Sequence, residues 1–516
     1  MSPRGLHILE RAIYRGPHLY GSRPMVRIQV DLGELEAWPS DRLAGFNPAL
    51  LSILPSLHGH GCSYREPGGF VRRLESGTWF GHVVEHVALE LQSLAGHKTS
   101  RGKTRSVKGR PGVYNVLFDY VDEDAGLAAG RLAFQICHAL LPPALQGMDG
   151  LDLITASTAV PDARVSTINT VDEAVQLLKE VARRRAFGPS TQALVEAARR
   201  RRIPVTRLNN QSLVQLGWGS RQRRLRASVT DRTGLVASEL AGDKAQAKAL
   251  LQDIGCPVAK GVVVATAAEA LHASRRLSRP LVAKPLDGNH GRGVTTGVMT
   301  DDALVAAFDL AAVHSRRVIV EEELPGRDHR ILVVDGRVVA VSERVPPQVV
   351  GDGVSSVATL VDAVNRDPRR GAGHESALTR IRLDDAAAHD VLERQGLSID
   401  SVPGAGQVVV LRTTANLSSG GTAIDRTEAI HPDNAAIARR AALAVGLDVA
   451  GIDMLAPDIS RPIRETGGGI VEINAAPGLR MHTHPSEGTP RDVAEPILRM
   501  IYPPGSRARI PILAVT

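Results

Sequence analysis

The sequence predicts an α/β (α+β) chain, a smaller α+β domain followed by a larger α/β domain that carries a glycine-loop lid. Three observations predict it. Short apolar runs with strand alternation recur along the whole length, and helical stretches with an apolar stripe lie between them. In the C-terminal half a lysine-ended strand runs straight into a glycine-rich loop. With 516 residues and 43 % apolar content, the chain can bury several cores.

Residues 1 to about 160 read as the first domain. MVRIQVDLGEL and GVYNVLFDYVDE alternate like strands, GTWFGHVVEHVALELQSLAG is a helix stopped by Gly96, and AGLAAGRLAFQICHALL is a second helix. LPPALQGMDGLDL, dense in Pro and Gly, reads as the boundary. The second domain spans about 161–500. It opens with VDEAVQLLKEVARRR and FGPSTQALVEAARRR, the latter with Ser190 as candidate cap. Strands PLVAKPL, RRVIVEEEL, RILVV, RVVAVSERV, QVVVLRTT, AGIDMLA and GIVEINA follow, interleaved with helices DKAQAKALLQDIG and NAAIARRAALAVG. Asp335-Gly336 between RILVV and RVVAV is a two-residue hairpin signal. No solenoid repeat or low-complexity tract is present.

Cys62, Cys137 and Cys256 lie far apart, which argues against a disulfide framework and suits a reducing, cytoplasmic setting. The N-terminus lacks the apolar segment of a secretory signal, and no stretch is apolar enough to span a membrane. The net charge of +7 favours anionic partners. Nucleic acid is not among them: only 3 % of residues are aromatic and no stacking or recognition-helix pattern occurs. The basic runs Arg183–Arg185, Arg199–Arg202 and Arg221–Arg226 read as solvated helix faces and turns.

Four segments point to a nucleotide. Lys244 opens DKAQAKALLQDIG and Lys284 ends PLVAKP. DGNHGRGV follows with Gly288, Gly291 and Gly293, and RRVIVEEEL ends in carboxylates. Two lysines bring compact charge to phosphate oxygens, and glycines let backbone N–H groups approach them. A lid of this kind excludes water from an acyl phosphate. GHKTSRGKT is no phosphate loop of the Walker type, because Gly96 and Gly102 are one residue too far apart. Further on, Asp453 lies in AGIDML, and Glu472 and Asn474 share a face of GIVEIN. Two carboxylates and an amide oxygen suit Mg²⁺.

The order of Lys244, the KP–glycine loop, EEEL, GID and VEIN resembles the ATP-grasp superfamily. The resemblance implies Lys244 and Lys284 on phosphates, Glu321 at the adenine hinge and Asp328 at the ribose of ATP. Asp453, Glu472 and Asn474 become Mg²⁺ ligands. The related D-alanine ligases carry an arginine just before the metal-binding aspartate; this chain reads AGID there, leaving Arg330 and Arg412 as candidates for that charge. GTWFGHVVEHVALELQ, KPLDGNHGRGV, RVPPQVVGDG, ANLSSGGTAIDRT and EINAAPGLRMH resemble the cyanophycin synthetase family along essentially the whole chain.

That resemblance implies nitrogen-storage polymer synthesis: ATP phosphorylates the C-terminal carboxylate of a β-Asp-Arg primer or polymer, and the amine of L-aspartate attacks the acyl phosphate. RTTANLSSGG, with Arg412, Asn416, Ser418, Gly420 and Gly421, is the expected seat of the carboxylate or acyl phosphate. His290 inside the phosphate loop either donates to a phosphate or is a plain loop histidine. The resemblance also implies a homo-oligomer, expected as a tetramer, and a lid at roughly 240–320. It makes 501–516 a linker and first strand towards a Mur-ligase-like domain absent from this chain.

A second constellation lies in the first domain. His82, Glu85 and His86 read H-x-x-E-H, with Glu90 continuing the face. Two imidazoles and a carboxylate could hold Zn²⁺ with Glu85 as base, the inverzincin pattern; packed core histidines are the equal alternative. With metal, the region is a hydrolase trimming polymer into primers. Without it, the region is a polymer-binding or assembly domain.

Overall fold

The computed structural model describes residues 5–154, 162–287, 293–373, 376–384 and 386–513. The chain divides into two compact units, residues 1–186 with 511–516, and residues 187–510.

In the first unit, strands β1 (Leu6–Tyr14) and β2 (Met25–Asp31) precede helix α1 (Phe80–Leu94). Then come β3 (Gly102–Ser106), β4 (Val113–Asp119), α2 (Glu123–Ala139), β5 (Met148–Asp149) and α3 (Val171–Arg185). The sheet order is β3-β4-β2-β1-β5, antiparallel except for the parallel β1–β5 pair. One sheet face and the apolar stripes of the helices share a core that includes Ile8, Ile28, Phe80, Val84, Phe118 and Phe134. Gly96, at φ +94°, ends α1 as expected.

Two boundary expectations are corrected here. The Pro/Gly stretch near residue 148 is no divider, because β5 inside it pairs with β1. Helix α3, expected in the second domain, buries Ala174, Leu177, Leu178 and Val181 in this first core. Its start is set by a capping box between Thr170 and Glu173.

The second unit opens with α4 (Pro189–Arg200). Ser190 does not cap it: its hydroxyl accepts from the Leu479 N–H at 3.0 Å, while Gly188 takes the cap position and Pro189 starts the helix. Helix α5 (Lys244–Asp253) leads into β6 (Gly261–Val264), β7 (Leu281–Pro285), β8 (Thr295–Val298) and β9 (Val318–Glu322). These form an antiparallel sheet of order β6-β9-β7-β8 with its own core around Val264, Leu281, Phe308 and Val320.

A second antiparallel sheet holds β10 (Arg327–Val334), β11 (Arg337–Val345), β12 (Thr422–Asp425), β13 (Val449–Ala456) and β14 (Gly469–Asn474), in the order β12-β11-β10-β13-β14. Helix α6 (Pro432–Val445) packs on one face with Ile331, Val341 and Ile452. Helices α4 and α7 (Ala494–Ile501) pack on the other with Leu332, Ala340 and Val449. Asp335 and Gly336 both have positive φ, +50° and +69°, as the predicted two-residue hairpin between β10 and β11 requires. Among the described residues, no helix is long and apolar enough to cross a membrane.

Candidate active site

Asp243 accepts the N–H groups of Ala245 and Gln246 at 3.0 Å each and so fixes the start of α5. Lys244 and Lys248, one turn apart, share a face of that helix. Lys248 reaches Glu321 Oε2 at 2.5 Å, and Lys284 from β7 reaches Glu321 Oε1 at 2.5 Å. Burial acts to raise the Glu321 carboxyl, but the ammonium groups of Lys284 and Lys248 outweigh it and hold it below its usual value. Burial is the main cause that lowers the pKa of Lys244, with the Glu472 charge the largest opposing influence. A cleft lined by Lys244, Lys248 and Glu472, with Leu251, Val258 and Ile470, lies alongside.

The acidic set assembles by strand register. Arg330 on β10 lies opposite Asp453 on β13, and Asp453 lies opposite Glu472 on β14. Asn474 pairs with Gly451, and its Nδ2 lies 3.5 Å from Asp453 Oδ2. Arg330 Nε donates to Asp453 Oδ1 and Nη2 to Oδ2, the second at 3.1 Å. Arg344 on β11 adds Nη2 at 3.1 Å from Asp453 Oδ2 and 2.7 Å from Asp328 Oδ1. Burial raises the Asp453 carboxyl, and the Arg330 and Arg344 guanidiniums more than offset it, leaving it lowered. At Asp328 burial prevails over Arg344 and the carboxyl is raised.

The donors fit a hard divalent cation. Asp453 and Glu472 stand opposite each other on adjacent strands beside Asn474, and Asp453 Oδ1, which accepts one N–H from Arg330, keeps a lone pair for a metal.

The structure thus brings Lys244, Lys284, Glu321 and Glu472 into one neighbourhood, and Arg330, Asp328, Asp453 and Asn474 into another that shares Glu472. Of the two arginine candidates, Arg330 is the one at Asp453. Arg412 Nη2 donates instead to the carbonyl of Arg382 at 3.2 Å. Asn416 Nδ2 donates to Thr414 Oγ1 at 3.4 Å, and Ser418 is exposed. Gly293 has φ +69°, and a Cβ there would meet His314 Cδ2 at 2.6 Å, so only glycine fits. Gly288, His290 and Gly291 lie outside the described residues.

Lys248 and Arg344 were not expected. The i+4 spacing from Lys244 could have found Lys248, but nothing local flags Arg344.

In the first unit the H-x-x-E-H expectation is corrected in one ligand. Cys62, His82 and His86 bring their ligand atoms within 4.8 Å of one another. Glu90 is not in the set, because its Oε2 is engaged by His60 Nε2 at 2.6 Å and that hydrogen bond lowers its pKa. His60 also reaches His86, Nδ1 to Nδ1, at 2.8 Å. His82 Nδ1 meets Thr78 Oγ1 at 2.8 Å, which leaves Nε2 facing Cys62 Sγ at 3.4 Å. Burial lowers His82 to about 4, so the ring is neutral at neutral pH. Glu85 accepts from Thr104 Oγ1 at 2.6 Å and is pushed up to about 7 by burial.

Residues 27–142 match the family described as Cyanophycin synthase-like N-terminal domain. Cyanophycin synthetase from Synechocystis sp. is 45 % identical over 99 % of this chain, and the chain covers 57 % of that protein. Cyanophycin synthetase from Geminocystis herdmanii is 44 % identical over 99 % of the chain, which covers 56 % of it. The chain therefore spans a little over half the length of these relatives. A crystal structure of a bifunctional glutathione synthetase from Pasteurella multocida superimposes with a TM-score of 0.52 at 21 % identity, over 93 % of this chain and 81 % of that one. The chain has the mixed α/β fold of the ATP-grasp type together with a smaller N-terminal α+β domain.

Proposed function

We propose that the chain is an ATP-dependent ligase that adds L-aspartate to the C-terminal carboxylate of a β-Asp-Arg polymer, cyanophycin, releasing ADP and phosphate. The observation that supports it most is Lys244, whose charge couples to both the Lys284–Glu321 group and Glu472 of the acidic set. The similarity to cyanophycin synthetases supports the choice of polymer.

Lys244 and Lys284 hold phosphate oxygens of ATP, and the ribose is assigned to Asp328 by the family resemblance alone. Asp453, Glu472 and Asn474 would hold Mg²⁺, which would supply charge neutralisation at the phosphates. A terminal carboxylate oxygen of the polymer attacks the γ-phosphorus while the bond to the ADP oxygen breaks. Arg330 stands beside Asp453 to balance the charge on the transferred group. The amine nitrogen of aspartate attacks the acyl carbon, the C–O bond to phosphate breaks with its electron pair, and the nitrogen loses a proton. Arg412, Asn416 and Ser418 are the expected contacts of the acyl phosphate, with the glycine loop and His290 excluding water. ADP release should require ATP, Mg²⁺, primer and aspartate together. Lys284→Ala and Glu472→Ala should melt like the wild type yet lose on the order of 100-fold in release. Full activity in either folded variant contradicts the reading.

A second reading concerns the first unit. The convergence of Cys62, His82 and His86 favours a zinc hydrolase of the same polymer, with Glu85, which bonds Thr104, kept as the expected base. One zinc per chain, lost in Cys62→Ala, and metal-dependent primer shortening lost in Glu85→Gln are the expected results. Cleavage that persists without metal rules it out.

A further inference from the structure

Arg370 and Arg480 are both buried, each 8 % exposed. Arg370 Nη1 donates to the Thr379 carbonyl at 2.5 Å and the Gly420 carbonyl at 3.0 Å. Arg480 Nη2 donates to Thr379 Oγ1 at 3.0 Å, and its Nη1 to the Ser376 carbonyl at 3.4 Å. Two guanidiniums therefore converge on one threonine from separate segments. Neither has a carboxylate partner among the described residues. Asp367, whose charge is felt at Arg370, is already engaged by Arg369 Nη2 at 2.7 Å. Burial lowers the pKa of both arginines.

A guanidinium carries five N–H donors, and neutral carbonyls and a hydroxyl meet only part of that capacity. No nitrogen of either guanidinium is both buried and unpartnered, so the remaining N–H groups are open to an anion entering from solvent. Sequence neighbours tie the pair to the candidate site. Arg480 follows Asn474 in the segment that leaves β14, and Gly420 belongs to the ANLSSGG loop. His482, two residues on, bonds Ser342 Oγ at 2.8 Å and feels the charges of Arg330 and Arg344.

We propose that Arg370 and Arg480 form the carboxylate-recognition pair for the acidic amino-acid substrate, holding a carboxylate of the incoming aspartate while its amine reacts. This rests on the ligase reading. In that reading the incoming aspartate keeps both of its carboxylates through the bond-forming step. The terminal carboxylate of the polymer is consumed and its aspartyl side-chain carboxyls are tied up as amides, which leaves the α-carboxylates of its arginine residues as the other free ones; direct measurement of aspartate binding separates the two.

The test is equilibrium dialysis of labelled L-aspartate against the full chain with Mg²⁺ and ADP, for the wild type, Arg480→Lys, Arg480→Gln and Arg370→Gln. ADP release from ATP is measured on the same preparations. Loss of charge-assisted hydrogen bonds should weaken aspartate binding and raise its KM on the order of 10- to 100-fold, with the KM for ATP within about twofold. Preference for aspartate over asparagine should fall in parallel. Arg480→Lys keeps the charge and the reach to Thr379, so it carries the test if the glutamine variants unfold, and it should bind with intermediate affinity. Wild-type-like aspartate binding in a folded variant overturns the proposal, as does absence of aspartate binding to the wild type or an equal rise in the KM for ATP. Aspartate binding that depends on the pair, without ADP release by the wild type, would sink the ligase reading and leave the pair standing.

Discussion

Arg330 and Asp453 face each other as register partners on adjacent antiparallel strands, and the guanidinium bonds both carboxylate oxygens. A side chain two positions before Asp453 could have carried this cation, but position 451 is glycine, so a neighbouring strand supplies it. Arg330→Lys keeps the charge but cannot span both oxygens. Steady-state turnover should fall on the order of 100-fold, with thermal unfolding little changed.

Gly451 makes room for that arrangement. A Cβ there would lie 2.7 Å from Pro477 Cβ, 3.2 Å from Arg330 Cδ and 3.3 Å from Arg330 Nη1. Gly451→Ala should displace the guanidinium, destabilise the chain by about 1–3 kcal/mol and depress turnover as Arg330→Lys does. Denaturant titration beside ADP release checks both.

Lys284 and Lys248 share Glu321, so removing one lysine leaves a buried carboxylate with a single partner. Lys284→Ala should weaken ATP binding, read by calorimetric titration, on the order of 10-fold or more. Lys284→Ala combined with Glu321→Gln should be less stable than Lys284→Ala alone, because Lys248 then loses its carboxylate partner, and should not regain the ATP affinity.

Much of this site was legible in the sequence, and the remainder was hidden by register. Lys244, Lys284, Asp453, Glu472 and Asn474 announce themselves because each sits in a local strand or helix pattern. Arg344 does not. The two-residue turn at Asp335-Gly336 alone would pair Asp328 with Glu343, but a bulge between Leu332 and Val333 shifts the ladder by one and brings Arg344 opposite Asp328. Helix α1 gave His82 and His86 by spacing, whereas Cys62 reaches them from a separate loop, which no spacing rule encodes. Helix α3 was assigned to the wrong unit because its apolar stripe shows that it packs, not against what.

His482 offers a pH test. Burial, chiefly, with the Arg330 and Arg344 charges, depresses its pKa to about 3. The unfolded chain binds that proton below about 6.5 while the folded chain stays neutral, so stability is lost as pH falls. The loss is about 1.4 kcal/mol per pH unit below 6.5, until the folded group titrates. His482→Asn, unable to take up the proton, should show a shallower decline in stability between pH 6.5 and 5. An unchanged slope would show that other groups set the acid limit.

The most direct measurement of the central claim is mass spectrometry of a short β-Asp-Arg primer after incubation with the chain, Mg²⁺ and ATP, with aspartate, arginine or neither. The account predicts a primer longer by one aspartate residue, only when ATP and aspartate are both present. A primer unchanged under all conditions, or extended without ATP, would contradict it.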